Sequence, residues 1–114
     1  MSVQHFEATI RLNGRIAIID LRGEINGLAE QQLNEAYSLA EAEQPENILL
    51  NFSQVDYINS TGIALIVGLL AQARKAHHTL SVCGLSQHYQ EIFNITRLSD
   101  FMTIYPDEVS AVAV

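Results

Sequence analysis

Two neighbouring hydroxyls carry the most suggestive chemistry in this sequence. Ser60 and Thr61 follow Val55-Asp56-Tyr57-Ile58-Asn59 and precede Gly62 and a long apolar run. An apolar strand, a polar turn, then Ser-Thr-Gly and an apolar run read together as the start of a helix. At such a start either hydroxyl can cap free backbone N–H groups, an interaction of about 1 kcal/mol. The position has a second use. A helix N-terminus presents unpaired amides and a partial positive charge. A phosphate on Ser60 would bring roughly −1.5 to −2 charges near neutral pH. Such a charge is tolerated at a helix start, so modification would change the surface and leave the fold in place. On local chemistry alone, capping is the simpler reading.

The other reactive residues point to no enzyme. Ser60-Thr61-Gly62 is not a Gly-x-Ser-x-Gly elbow, and no histidine has a visible link to it. His77 and His78 are adjacent, so their side chains diverge, and solvent-exposed loop residues are expected there, not metal ligands. His5 and His88 add no ligand spacing, so neither a metal nor a cofactor is expected. Gly23-Glu24-Ile25-Asn26-Gly27 lacks a P-loop lysine and the dinucleotide glycine spacing, and reads as a turn. Asp20 and Glu24 are a nominal acid/base pair with no second feature in support. The single cysteine, Cys83, excludes an intramolecular disulfide and a multi-cysteine zinc site. Within Leu80-Ser81-Val82-Cys83 it reads as a buried, inert thiol on a strand.

The elements that must position Ser60 follow from periodicity. Val3 to Leu12 alternates as a half-buried strand, with Phe6, Ala8, Ile10 and Leu12 on one side. Asn13-Gly14 is a two-residue hairpin signal, and Arg15 to Leu21 is rich in β-branched residues. Gly23 to Gly27 reads as a loop. From Leu28 the spacing turns helical, with Ala29, Leu33, Ala36, Tyr37 and Ala40 on one face. Pro45 closes that helix, and Asn47 to Phe52 suits a strand buried on both faces. Ser53 to Asn59 reads as a second loop. A helix from Ser60 to about Ala76 is almost wholly apolar and is expected to be largely buried. Its small residues Ala64, Gly68 and Ala71 suit close packing within the chain, or else against a partner's helix. Thr79 to Gly84 is a strand, Gln87 to Ile95 a short helix and Met102 to Tyr105 a last strand. Pro106 can open a final helix, with Asp107 and Glu108 in its first turn.

The order β-β-α-β-α-β-α-β-α predicts one α/β domain spanning residues 1–114. Its mixed sheet would carry an N-terminal antiparallel hairpin, then mostly parallel strands, covered by about four helices. The two loops, Gly23 to Gly27 and Asp56 to Gly62, should meet at one edge of the sheet, where open α/β sheets carry their sites.

Bulk composition narrows the partners. The net charge is −7, from six Lys and Arg against thirteen Asp and Glu. Arg74-Lys75 is the only adjacent basic pair, so no cation cluster exists to neutralise nucleic-acid phosphates. The longest apolar stretch, Ile63 to Ala71, is too short to insert across a bilayer, and the N-terminus has no signal-peptide pattern. A cytoplasmic location is expected.

Together these residues resemble a known family. Asp56-Tyr57-Ile58-Asn59-Ser60-Thr61-Gly62-Ile63 is similar to the signature loop of STAS domains, as in bacterial anti-sigma-factor antagonists. Arg22-Gly23-Glu24-Ile25-Asn26 resembles the family's other loop, and Leu85 to Phe101, with Ile92-Phe93 and Leu98, its third-helix segment. The resemblance covers essentially the whole chain. It implies a non-enzymatic protein that binds an anti-sigma factor. That partner is also a serine kinase, and a serine phosphatase reverses its action. It implies Ser60 as phosphate acceptor, with Thr61 second, and Glu24, Asn26, Asn59, Ser60, Thr61 and Gly62 at the partner surface. Asn26 and Asn59 depart from the family, which often has Asp at both. Two alternatives use the same loops: an accessory subunit of a transporter, and a small enzyme with a pocket between them.

Overall fold

In the computed structural model, which describes residues 6–113, five strands form one sheet in the order of the sequence. β1 (Glu7–Asn13) and β2 (Ile16–Ile25) pair antiparallel, and β3 (Asn47–Ile58), β4 (Thr79–Cys83) and β5 (Thr103–Tyr105) follow in parallel. α1 (Glu30–Ala42), α2 (Ser60–Lys75) and α3 (Gln87–Ile95) are the three crossovers. Each steps to the next strand in the same direction, so right-handed connections place all three on one face. α4 (Glu108–Val112) lies on the other face.

Strand alternation divides the core accordingly. Ala17, Ile19, Leu21, Ile48, Leu50, Phe52, Leu80 and Val82 point toward α1, α2 and α3. Ile18, Leu49 and Cys83 point the other way, under Ala111 of α4. Phe52 and Phe93 lock α3 to the sheet edge-to-face, with centroids 6.1 Å apart.

The expected hairpin forms, but one residue later than its signal. The tight turn is Gly14-Arg15, with Asn13 and Ile16 as its flanking pair. Only Gly14 has positive φ, 60°, as a turn needing glycine at its first central position demands. The expected strand start at Val3 lies outside the described residues. Pro106 precedes α4, and Asp107 is its cap, accepting from the Ser110 N–H at 2.8 Å.

The larger differences concern the two expected loops. β2 continues through Gly23, Glu24 and Ile25, and β3 continues through Ser53 to Ile58. Register shifts at Asp20/Arg22 and Gly23/Glu24 let the ladder resume as Glu24↔Tyr57 and Ile25↔Ile58. Gly23, at φ 94°, supplies the backbone freedom for this irregularity. Exposed polar residues such as Gln54 and Asp56 conceal the strand, although its backbone stays paired and Ile25 and Ile58 are buried. Likewise Leu28 does not open α1. Gly27–Ala29 forms a separate 3-10 turn, which leaves Leu28 90% exposed.

Candidate functional site

The parallel ends of β2 and β3 finish side by side, at Ile25 and Ile58. The residue after each is an asparagine, and each asparagine caps the next element of the chain. Asn26 Oδ1 accepts from the Leu28 N–H at 2.9 Å, at the head of the 3-10 turn. Asn59 Oδ1 accepts from the Gly62 N–H at 2.8 Å, at the head of α2. Asparagine caps as well as aspartate does, so the two departures from the family pattern preserve the local fold without its charge.

This changes the role of the hydroxyls. The cap of α2 is Asn59, not Ser60 or Thr61. Ser60 is the first residue of the helix and is exposed, as is Thr61. The N–H groups of Ser60 and Thr61 belong to the first turn, which has no intrahelical acceptors. No acidic side chain occupies that turn. The Ser60 hydroxyl therefore stands free beside unpaired amides, where an anion is electrostatically welcome.

Three packing contacts hold this mouth in shape. The Asn59 N–H donates to the Ile25 carbonyl at 3.2 Å, tying the α2 start to the end of β2. Gly62 lies against the same carbonyl, and a Cβ there would fall 2.1 Å from the Ile25 oxygen. No side chain fits, which is why Gly62 follows the hydroxyl pair. The third contact comes from α3. The Tyr89 hydroxyl accepts from the Ile58 N–H at 2.8 Å and donates to the Ile58 carbonyl at 3.4 Å. It clamps the end of β3 two residues before Ser60. The helical spacing identifies Tyr89 only as part of the apolar face of α3; nothing in the sequence signals that its hydroxyl reaches β3.

Glu24, Asn26, Asn59, Ser60, Thr61 and Gly62 thus gather at one end of the sheet. Glu24, Asn26 and Asn59 are half-buried and Gly62 is buried, so Ser60 and Thr61 are the accessible members. Thr61 turns its methyl toward Gly27, 3.6 Å from where a Cβ would lie. Apolar side chains flank the mouth: Leu28, and Tyr57 at 51% exposure. The exposed surface continues down α2. Ile66, Leu69, Leu70 and Ala73 face the core, but Ala64, Val67, Gly68 and Ala71 face solvent. The expectation that α2 is largely buried, with its small stripe packed inside the chain, is therefore overturned. A Cβ at Gly68 would meet nothing within 4 Å. Beyond this stripe, Arg74 stacks on Phe101, 5.1 Å from the ring centroid, beside a shallow depression of about 330 Å³.

Asp20 and Glu24 lie four residues apart on β2, about 13 Å by strand rise, and Asp20 is bound to Arg11 and Asn51. His77 is exposed, whereas His78 is half-buried, with Nδ1 3.2 Å from the Pro45 carbonyl. Among the described residues no three His, Cys, Asp or Glu side chains form a metal-ligating group. Cys83 is buried, and burial pushes its thiol up to about 11. No helix in the described residues is long and apolar enough to cross a membrane.

A mixed five-stranded sheet with accessible hydroxyls at a helix mouth, flanked by exposed apolar side chains, defines a domain of the open α/β class. The chain belongs to the STAS domain family, whose model matches residues 7–111. It is 29% identical over 86 residues to the anti-sigma-B factor antagonist of Listeria monocytogenes, covering 75% of each protein. The fold is that of an anti-sigma factor antagonist from Mycobacterium paratuberculosis, with TM-score 0.82, 16% identity, and 96% and 92% of the two chains covered. It is also that of the Bacillus cell fate determinant SpoIIAA in its phosphorylated form, with TM-score 0.70, 20% identity, and 96% and 97% covered.

Proposed function

We propose that this chain is an anti-sigma-factor antagonist that binds an anti-sigma factor through the α2 mouth, and that phosphorylation of Ser60 releases it. The observation that carries this reading is the division of labour at the mouth. Asn59 caps α2, so the Ser60 hydroxyl is exposed and has no structural duty. A phosphate there would be held by the free amides of the first turn and would leave the fold unchanged. It would instead place charge and bulk between Leu28 and Tyr57, where an apolar partner surface would dock. The names of the relatives support the class of partner, and a neighbour of the same fold in a phosphorylated form supports the switch.

The partner is an anti-sigma factor with serine kinase activity, and a serine phosphatase restores the binding form. Glu24, Asn26, Asn59 and Thr61 border the acceptor, and the solvent face of α2 extends the contact. The protein acts by binding and performs no turnover of its own.

Intact-mass spectrometry of the protein from its native cells, with peptide mapping, tests the switch. One phosphate on Ser60 in a fraction of the molecules is expected, and Ser60→Ala should abolish it. Ser60→Ala should bind the kinase persistently and Ser60→Asp weakly. Absence of phosphate across growth and stress conditions, together with equal binding by Ser60→Asp and wild type, would sink the proposal.

A further inference from the structure

β1 is an edge strand: among the described residues no strand lies beyond it. Asn13 and Ile16 flank the two-residue turn and so form a hydrogen-bonded pair. Antiparallel pairs alternate between bonded and non-bonded. Arg11, Thr9 and Glu7 therefore direct their backbone groups to β2, while Ala8, Ile10 and Leu12 direct theirs outward. Outward-facing N–H and C=O groups on an edge are a template for another strand.

We propose that β1 pairs antiparallel with β1 of a second copy of this chain, about a two-fold axis at Thr9, joining two five-stranded sheets into one. The occupant follows from reading the strand against itself. With Thr9 on the axis, Glu7 stands opposite the partner's Arg11, and Arg11 opposite the partner's Glu7. Ala8 meets the partner's Ile10, and Phe6 meets the partner's Leu12. Leu12 is 55% exposed in the single chain, so this pairing covers it. Every opposed pair matches in kind: acid with base, apolar with apolar, threonine with threonine. Other two-fold registers lose the charge match. An axis at Ile10 sets Glu7 against the partner's Asn13 and Thr9 against the partner's Arg11. An axis at Ala8 sets Glu7 against the partner's Thr9.

The local chemistry permits the match. Thr9 opposite itself is a non-bonded pair, where side chains approach most closely, and Thr–Thr pairs stabilise sheets. The Arg11 guanidinium directs four N–H groups to Asp20 and Glu108. One of its five remains for the partner's Glu7. Glu7 takes part in no ion pair among the described residues. The pairing uses the sheet margin and leaves Ser60 outside it, so it stands apart from the switch.

Sedimentation equilibrium of the full chain should show a reversible dimer. Ala8→Pro removes an outward N–H and spares the β1–β2 ladder, a place where an edge strand accepts proline. It should give a monomer with an unchanged circular dichroism spectrum. Glu7→Lys sets like charges opposite each other twice and should raise the dimer dissociation constant roughly tenfold. Thr9→Cys should oxidise to a disulfide-linked dimer, and Ile10→Cys should cross-link much more slowly. A wild-type chain that stays monomeric at high concentration overturns the proposal. So does a dimer indifferent to Ala8→Pro and Glu7→Lys, or faster cross-linking at position 10 than at position 9.

Discussion

The two polar regions of this molecule differ in what their groups already hold. On the α4 face, Arg11 grips Asp20 through Nε and Nη2 and reaches Glu108 at 2.6 Å, while Asn51 donates to Asp20 at 2.9 Å. Each group there satisfies another, and the cluster ties β1, β2, β3 and α4 together. At the α2 mouth, above the buried Tyr89 clamp, the side-chain bonds are local caps, Asn26 to Leu28 and Asn59 to Gly62. The Ser60 hydroxyl and the first-turn amides are left over. Both regions are polar and partly exposed, yet one is closed and the other open. A network whose charges already pair with one another holds elements in place. An unsaturated one, on a backbone held from beneath, is what a ligand or a modification needs.

That contrast breaks most severely where the open region rests on its support. Gly62→Ala drives a Cβ into the Ile25 carbonyl, a backbone atom that cannot swing away. A loss of about 3 kcal/mol is expected, read as a lowered denaturant midpoint. A loss below about 0.5 kcal/mol, the range of an ordinary surface change, would mean that the mouth is soft.

Tyr89→Phe tests the same support from α3. It strips the acceptor from the buried Ile58 N–H, and an unsatisfied buried donor costs about 1–3 kcal/mol. Amide exchange at Ile58 should accelerate more than exchange in β4. Equal acceleration throughout would show that the hydroxyl stabilises the fold globally and does not clamp the end of β3.

The closed region responds to pH. The hydrogen bond from Arg11 holds the Asp20 carboxyl below its ordinary value of 3.8, against a smaller opposing effect of burial. A depressed folded-state value means that Asp20 stabilises the fold fully above that ordinary value. The contribution is lost as pH falls through the depressed value. Asp20→Asn should flatten this part of the acid-unfolding profile and cost about 1 kcal/mol at neutral pH, since the half-exposed Arg11 is screened by solvent. An unchanged acid limb would show that Asp20 plays no part in acid unfolding.

The sequence made the order of elements legible because periodicity switches cleanly between strand and helix. It also placed Ser60 at the start of α2, since a polar turn before an apolar run reads as a helix start. It concealed the ends of β2 and β3, where Glu24, Asp56 and Tyr57 look like loop residues. Ladder pairing there depends on a neighbouring strand and on a bulge at Gly23. The exposure of Ala64, Val67, Gly68 and Ala71 was equally hidden. An apolar helix reads as buried, and only the sheet's geometry decides which of its faces is left uncovered. The Tyr89 clamp escaped for the same reason, because its hydroxyl reaches Ile58, a residue distant in the chain.

The finest comparison lies within the mouth itself, between the cap and the acceptor one residue apart. Asn59→Ala removes the bond to the Gly62 N–H and should cost about 1 kcal/mol, while Ser60→Ala should change stability by less than about 0.5 kcal/mol. Asn59→Asp keeps the cap and adds a charge that the α2 dipole favours, worth a few tenths of a kcal/mol at low salt. It would also set a carboxylate beside the Ser60 hydroxyl. If Ser60 is the acceptor proposed above, phosphorylation of Asn59→Asp by the proposed partner kinase should then slow, through repulsion of the incoming phosphate, although thermal unfolding shows a domain at least as stable as wild type. If Ser60→Ala instead destabilised the fold as much as Asn59→Ala, the hydroxyl would share the capping duty, and the division of labour on which the switch rests would fail.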